Sequence, residues 1–255
     1  MKEPPDQVFE SPPKPADMVS VKTASEALVG RNFESIRLLH GASFRDQSTI
    51  VIIPTRGTIP WQVVAAWQNL QYPMNQKRAL FFAVGYEVGH AYNRMIESIL
   101  KDPNLSKFKY VLTLEDDNIP THDALIRLLE TIETGFDAVG AIYFTKGEGG
   151  MPMAYGDPKE WEQGEMTFAP RNVSEALQKG RVMEVCGIAM GCSLWRMELF
   201  RQIPPPWYVT LCETDAGSMT QDLYFCKRAK MAGKRFAVDF RAKAGHLDVQ
   251  TGVVY

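Results

Sequence analysis

No stretch of this chain is apolar for the ~18 residues that a membrane-spanning helix needs, although hydrophobic residues make up 45% of its 255 positions. No apolar signal core follows the opening Met1-Lys2-Glu3-Pro4-Pro5, which argues against a secretory leader. There is no long basic run, and the formal net charge is −2. That argues against general nucleic-acid binding driven by counterion release, while leaving room for a local basic pocket that takes a phosphorylated ligand. Cysteine is scarce. Cys186, Cys192, Cys212 and Cys226 form no Cys-x-x-Cys pair and sit in apolar or helical contexts. They read as buried, reduced thiols of a cytoplasmic protein rather than as disulfides or zinc ligands. No internal repeat is present. What remains is an ordinary globular composition, 23% charged, on a chain long enough for one large domain or two small ones.

Residues 1–17 hold five prolines and read as an extended or disordered arm. Thr23-Ala24-Ser25-Glu26 has capping-box spacing and opens a helical pattern to about Leu39. Residues 1–47 are therefore expected to be an N-terminal extension. From residue 48 strands alternate with helices. Thr49-Ile50-Val51-Ile52-Ile53 is a β-branched run of the kind buried on both faces of a sheet. Ala79–Val84 reads as a second buried strand, Tyr110–Leu114 as a third and Ala138–Phe144 as a fourth. Helices are expected at Pro60–Leu70, at Gly89–Leu100 and after a Thr121 cap, the last with an apolar stripe of Leu125, Leu128, Leu129 and Ile132. Residues 147–180 lack periodicity and read as a binding loop. Order returns at Arg181–Cys186, and a helix at Thr220–Ala232 and a strand at Arg235–Phe240 follow. This alternation predicts an α/β domain over 48–255, with a mainly parallel central sheet and helices on both faces. Ligands of such sheets bind beyond the carboxyl ends of the strands. Arg56, Tyr86, Glu115 to Asp117 and Lys146 all follow strand ends, so they are expected to converge on one edge.

The sharpest feature is Val111-Leu112-Thr113-Leu114-Glu115-Asp116-Asp117-Asn118-Ile119-Pro120, a short apolar strand that runs into three acids. Adjacent carboxylates repel one another. A solvated turn tolerates this, and so does a site where a hard divalent ion such as Mg²⁺ or Mn²⁺ takes oxygen ligands. Two further groups lie downstream. Asp222 falls in the first turn of the predicted helix, where the helix dipole favours its charged form, and His246 follows the last predicted strand. His40, His90 and His122 read as surface or capping groups. Trp207 and Tyr208 suit either stacking on a sugar or anchoring a loop.

Taken in order, these segments resemble nucleotide-sugar glycosyltransferases of the GT-A fold, family 2-like members in particular, over about residues 48–248. Leu114-Glu115-Asp116-Asp117-Asn118-Ile119-Pro120 is similar to that family's Asp-x-Asp strand end. Gly187–Phe200 resembles its strand-turn-helix before the acceptor site. Gln221-Asp222 with Phe225-Cys226, Gly233 and His246 resembles its C-terminal catalytic segment. The resemblance implies a donor half at 48–146, which binds the nucleotide sugar, and an acceptor and catalytic half at 147–255. It implies that Asp117 binds a Mn²⁺ or Mg²⁺ bridging the donor diphosphate, and that His246 is a second ligand, its imidazole leaning towards Mn²⁺, or contacts the phosphates. Glu115 would face the ribose or base and Asp116 would support the metal shell. Pro54, Thr55 and Arg56 would border the nucleotide, with Asn93 and Arg94 near the donor or its phosphates. Asp222 would be the general base. The donor would be a UDP- or GDP-linked sugar and the acceptor a carbohydrate or other hydroxyl, including a lipid-linked one reached at a membrane surface. Transfer would invert the anomeric centre.

The chain departs from the family pattern at Glu115, where Asp is usual, at Gln221, where Glu is common, and at Tyr92, where Arg is usual. No Asp after the second strand reads uracil. A retaining transferase, a sugar-nucleotide nucleotidyltransferase and a non-catalytic carbohydrate-binding protein on the same fold stay open as alternatives.

Overall fold

The β-branched run at Thr49 becomes β1 (Thr49–Thr55), buried along its whole length. Side chains alternate across a strand, so Ile50 and Ile52 enter one core layer while Val51 and Ile53 enter the layer on the other face. The computed structural model describes residues 45–165, 167–214 and 217–255, and Gln47–Tyr255 form one compact unit. The expected arm, the helix to Leu39, His40 and Met166 lie outside the described residues.

After β1 come α1 (Trp61–Asn69), β2 (Arg78–Val84), α2 (Val88–Lys101), β3 (Tyr110–Leu114), β4 (Asn118–Pro120), α3 (Ala124–Ile132) and β5 (Ala138–Ile142). The aperiodic region carries only short elements: β6 (Ala154–Tyr155), α4 (Pro158–Glu162) and α5 (Ser174–Lys179). Then follow β7 (Val182–Val185), β8 (Gly187–Ile188), β9 (Cys192–Arg196), α6 (Met197–Gln202), β10 (Leu211–Thr214), β11 (Gly217–Met219), α7 (Gln221–Met231) and β12 (Phe236–His246).

The main sheet has the order β2-β1-β3-β9-β5-β12-β4, with β7 also paired to β12. β2, β1, β3, β5 and β12 run the same way. β9 runs against them between β3 and β5, so the sheet is mainly parallel with one reversed strand at its centre. Two apolar layers flank it. One gathers Tyr92 and Ile96 of α2 with Trp195, Phe200, Phe225 and Phe236. The other gathers Leu125, Leu128, Leu129 and Ile132 of α3 with Leu112, Leu114 and Leu194. Burying each large side chain stabilises the fold by about 1.5–3 kcal/mol, which is why these stripes fix the helices on the sheet.

Four expectations are corrected. β2 is an edge strand rather than one buried on both faces: Leu80, Phe82 and Val84 are about half exposed, because no strand of the described residues pairs with its outer side. The residue preceding α3 is Asp123, not Thr121. Cys212 is exposed, whereas Cys186, Cys192 and Cys226 are buried. Finally, β12 continues past Phe240 to His246. A register shift between Asp239 and Lys243 lets its second half leave β5 and pair with β4.

Candidate active site

That last pairing positions the acidic strand end. In the β12–β4 register His246 lies opposite Asn118, and the Leu247 N–H donates to the Asp117 carbonyl at 2.8 Å. Residues 130 positions apart in sequence thus share one corner of the sheet. The strand ends open on a cavity of about 1160 Å³. Pro54, Thr55 and Arg56 line it from β1, Tyr86 and Glu87 from beyond β2, and Glu115, Asp116 and Asp117 from β3. Lys146, Thr210, Gln221 and the turn Asp248–Gln250 complete much of the wall. The residues expected at the strand ends do converge.

Asp117 is the hub. Its Oδ2 stands 3.4 Å from His246 Nε2 and 2.5 Å from Lys146 Nζ, and its Oδ1 accepts from Asn118 Nδ2 at 3.1 Å. Burial opposes ionisation of this carboxyl, but His246 and Lys146 outweigh it and hold the pKa at about 2. His246 Nδ1 lies 2.9 Å from the Phe144 carbonyl. A carbonyl only accepts, so Nδ1 carries the proton. In the neutral ring the Nε2 lone pair therefore faces a carboxylate oxygen. Acceptor facing acceptor is stable only with a positive charge between or upon them: a proton on Nε2 or a shared cation.

Glu115 behaves in the opposite way. Burial, then the charges of Asp117, Asp222 and Asp116, push its pKa up to about 8, against a smaller pull from Lys146. Asp222 sits in the first turn of α7. Burial also raises its pKa, against hydrogen bonds from the Thr220 hydroxyl and the Leu223 N–H. Asp222 does not line the cavity, while its neighbour Gln221 does. Its charge nevertheless acts on Glu115, Tyr143 and Tyr155, which puts it beside the acidic cluster.

The remaining sequence candidates are placed differently. The Asn93 amide is used on the backbone: Nδ2 donates to the Tyr208 carbonyl at 2.6 Å, and Oδ1 accepts from the N–H groups of Trp207 and Tyr208 at 2.8 and 3.1 Å. It clamps a loop and does not line the cavity. The Arg94 guanidinium stacks over the Tyr86 ring, 5.1 Å from its centroid, and reaches the cavity wall only through that ring. Trp207 and Tyr208 are buried against Phe200 and Phe225. They anchor the loop and offer no stacking surface. Tyr92, at the usual Arg position, is buried in the same cluster. Glu87, Thr210 and the Asp248–Gln250 turn are lining residues that sequence reasoning missed. Glu87 had a signal, since it caps α2 by accepting from the His90 N–H at 2.8 Å.

One glycine is fixed by the site. A Cβ at Gly191 would lie 2.5 Å from Tyr143 Oη and 2.6 Å from both side-chain amide atoms of Asn118. Only a residue without a side chain lets Asn118 sit where it holds Asp117.

Among the described residues no group of three or more His, Cys, Asp or Glu side chains is arranged to hold a metal ion. A Mg²⁺ or Mn²⁺ that also binds phosphates needs fewer protein ligands, commonly one or two carboxylates with water. Asp117 and His246, with Oδ2 and Nε2 3.4 Å apart, fit that smaller set when Nε2 carries no proton.

No protein-family profile matches the chain, and no curated protein matches it in sequence. Solved structures do match in fold. The crystal structure of A197 from STIV superposes with a TM-score of 0.54 at 16% identity, over 79% of this chain and 86% of that one. GalNAc-T7, solved with UDP, GalNAc and Mn²⁺, superposes with a TM-score of 0.53 at 11% identity, over 97% of this chain and 56% of that one. The chain has the GT-A type of fold.

Proposed function

We propose that this chain is a glycosyltransferase. It uses Mn²⁺ or Mg²⁺ to move a sugar from a nucleoside-diphosphate donor to a hydroxyl acceptor, with inversion. One observation carries the reading: Asp117 lines the strand-end cavity, and its Oδ2 lies 3.4 Å from His246 Nε2, a spacing at which a single divalent ion can be ligated by both. The charge balance of the walls supports it. Among the described lining residues, Glu87, Asp116, Asp117 and Asp248 face Arg56 and Lys146 as cationic side chains, with Glu115 holding its proton up to about pH 8, and a diphosphate entering four carboxylates would be repelled without added positive charge. The GalNAc-T7 structure, solved with UDP, GalNAc and Mn²⁺, supports the same chemistry.

The metal, when bound by Asp117 and His246, supplies Lewis-acid stabilisation of the departing diphosphate, worth several kcal/mol. The chain's own residues do the rest. Phe144 fixes the His246 tautomer through its carbonyl, which keeps Nε2 free as a ligand. Pro54, Thr55 and Arg56 border the nucleotide, and Trp61, three-quarters exposed on the cavity wall, offers a ring for the base. Asp222 stands behind Gln221 of the cavity wall, and burial raises its proton affinity; once an acceptor displaces that wall, Asp222 takes the proton of its hydroxyl as the hydroxyl oxygen attacks the anomeric carbon. The bond from that carbon to the diphosphate breaks, and the nucleoside diphosphate leaves with the electron pair.

The test is a panel of UDP- and GDP-sugars with simple sugar acceptors, with Mn²⁺, with Mg²⁺ or with chelator. Release of nucleoside diphosphate that needs the metal supports the reading, and the anomeric configuration of the product by NMR reports inversion. Pyrophosphate release from a nucleoside triphosphate and a sugar phosphate, with no transfer from sugar nucleotides, overturns it.

A further inference from the structure

Lys146 has no part in the scheme above, yet it is the cation that touches the centre of the acidic cluster. Its ammonium lies 2.5 Å from Asp117 Oδ2, the oxygen that also faces His246. It acts on Glu115 and Asp248 as well. The segment that carries it is closely tied. Phe144 bridges to Pro152, the Thr145 N–H donates to the Met151 carbonyl at 2.9 Å, and the Met151 N–H donates back to Thr145 Oγ1 at 2.8 Å. Phe144, which holds the His246 ring, is only two residues away. One loop base therefore presents both the imidazole and the ammonium to a single carboxylate oxygen.

A divalent cation on that oxygen would lie within about 4 Å of an ammonium that is itself 2.5 Å from the oxygen, and like charges that close repel, so the two compete for it. Lysine is a point charge on a flexible four-carbon stem with three donors, so its head can turn while its backbone stays fixed. The donor diphosphate would then offer it two negative charges in the same cavity, against the single carboxylates of Asp116 and Asp248. We infer that Lys146 is a counter-charge that changes partners: it neutralises Asp117 in the empty site and turns to the donor diphosphate once the cation arrives. It thereby links binding of the metal to binding of the nucleotide. The inference rests on the proposed donor and metal reading and adds a residue and a regulation to it.

Linkage makes this measurable, because a coupling between two ligands is reciprocal. The test uses the full chain and Lys146→Met, which keeps the length of the stem without its charge. Free Mn²⁺ is titrated by electron paramagnetic resonance without nucleotide, and UDP and GDP are then titrated by calorimetry at saturating Mn²⁺, with UMP and GMP as controls. The variant is expected to bind Mn²⁺ alone about threefold or more tightly, because the competing ammonium is gone, and to bind the diphosphate about tenfold more weakly. Monophosphate affinity should change far less. A diphosphate affinity equal to that of the parent at saturating Mn²⁺ overturns the inference, since Lys146 would then stay on Asp117. Weaker binding of Mn²⁺ alone by the variant overturns it too. If Lys146→Met fails to fold, as judged by its melting curve, Lys146→Gln carries the same test. If the parent protein binds neither Mn²⁺ nor either diphosphate, the donor reading itself fails, a result distinct from a parent that binds both and a variant that matches it.

Discussion

Glu115 and Asp117 stand two residues apart and respond to pH in opposite directions. The Glu115 pKa rises from 4.5 to about 8 in the fold, so between those values the folded protein keeps a proton that the unfolded chain has released. Its contribution to stability is complete below about pH 4.5 and is lost as the pH climbs through 8. In chelator, Glu115→Gln should match the parent at pH 4.5 and melt about 2–4 °C higher above pH 8, by differential scanning fluorimetry. An unchanged difference across the range would contradict the assigned burial. Asp117, held at about 2, contributes stability that is present above its ordinary value of 3.8 and disappears as the pH falls towards 2. Asp117→Asn should remove this acid-limb contribution and lower metal-dependent transfer by about 100-fold or more, read as initial rates at saturating Mn²⁺. Full activity in Asp117→Ala with chelator present would refute the metal role.

At the level of elements, α2 and the 207–208 loop show why a motif position does not by itself define a contact. Asn93 falls where the resemblance puts a donor-binding Asn, yet three hydrogen bonds tie it to the loop backbone. Asn93→Ala should cost about 1–3 kcal/mol in urea unfolding, because it strands partly buried polar groups, and should leave Mn²⁺ affinity unchanged. The strands divide in the same way. Leu112 in β3 is fully buried, and Leu112→Ala should cost about 2–5 kcal/mol. Phe82 in β2 is nearly half exposed, so Phe82→Thr should cost about 1 kcal/mol or less. Apolar runs were a sound guide to which segments are strands, since β1, β3 and β5 are buried throughout. They were a poor guide to rank in the sheet. An edge strand and a central strand differ in what lies beside them, and that is decided by chain segments far away. The extension of β12 to His246 was hidden for a related reason: the apolar pattern stops at Phe240, whereas a register shift lets the strand bend and continue.

For the whole molecule, a nucleoside diphosphate and Mn²⁺ together should raise the melting temperature by more than the sum of either alone, because the cavity walls carry excess negative charge. Equal shifts with and without the metal would argue against a metal-bridged diphosphate. The sheet rim that gathers this site was legible before any coordinates, because strands that alternate with helices leave their carboxyl ends at one edge. The wall supplied by Glu87, Thr210 and Asp248 was not, because those side chains reach the cavity from turns whose direction depends on tertiary contacts. The reversal of β9 was equally hidden, since a buried strand has the same apolar pattern in either direction.

That reversed strand has one more consequence. β9 is hydrogen-bonded to β3 on one side and β5 on the other, so the region that borders the nucleotide and the region that bears Asp222 are sewn into one continuous fabric with no seam. Within residues 47–255 this sheet therefore offers no joint at which two halves could part. If the proposed transfer holds, variants that alter turnover without touching chemistry should fall in the loops along the rim.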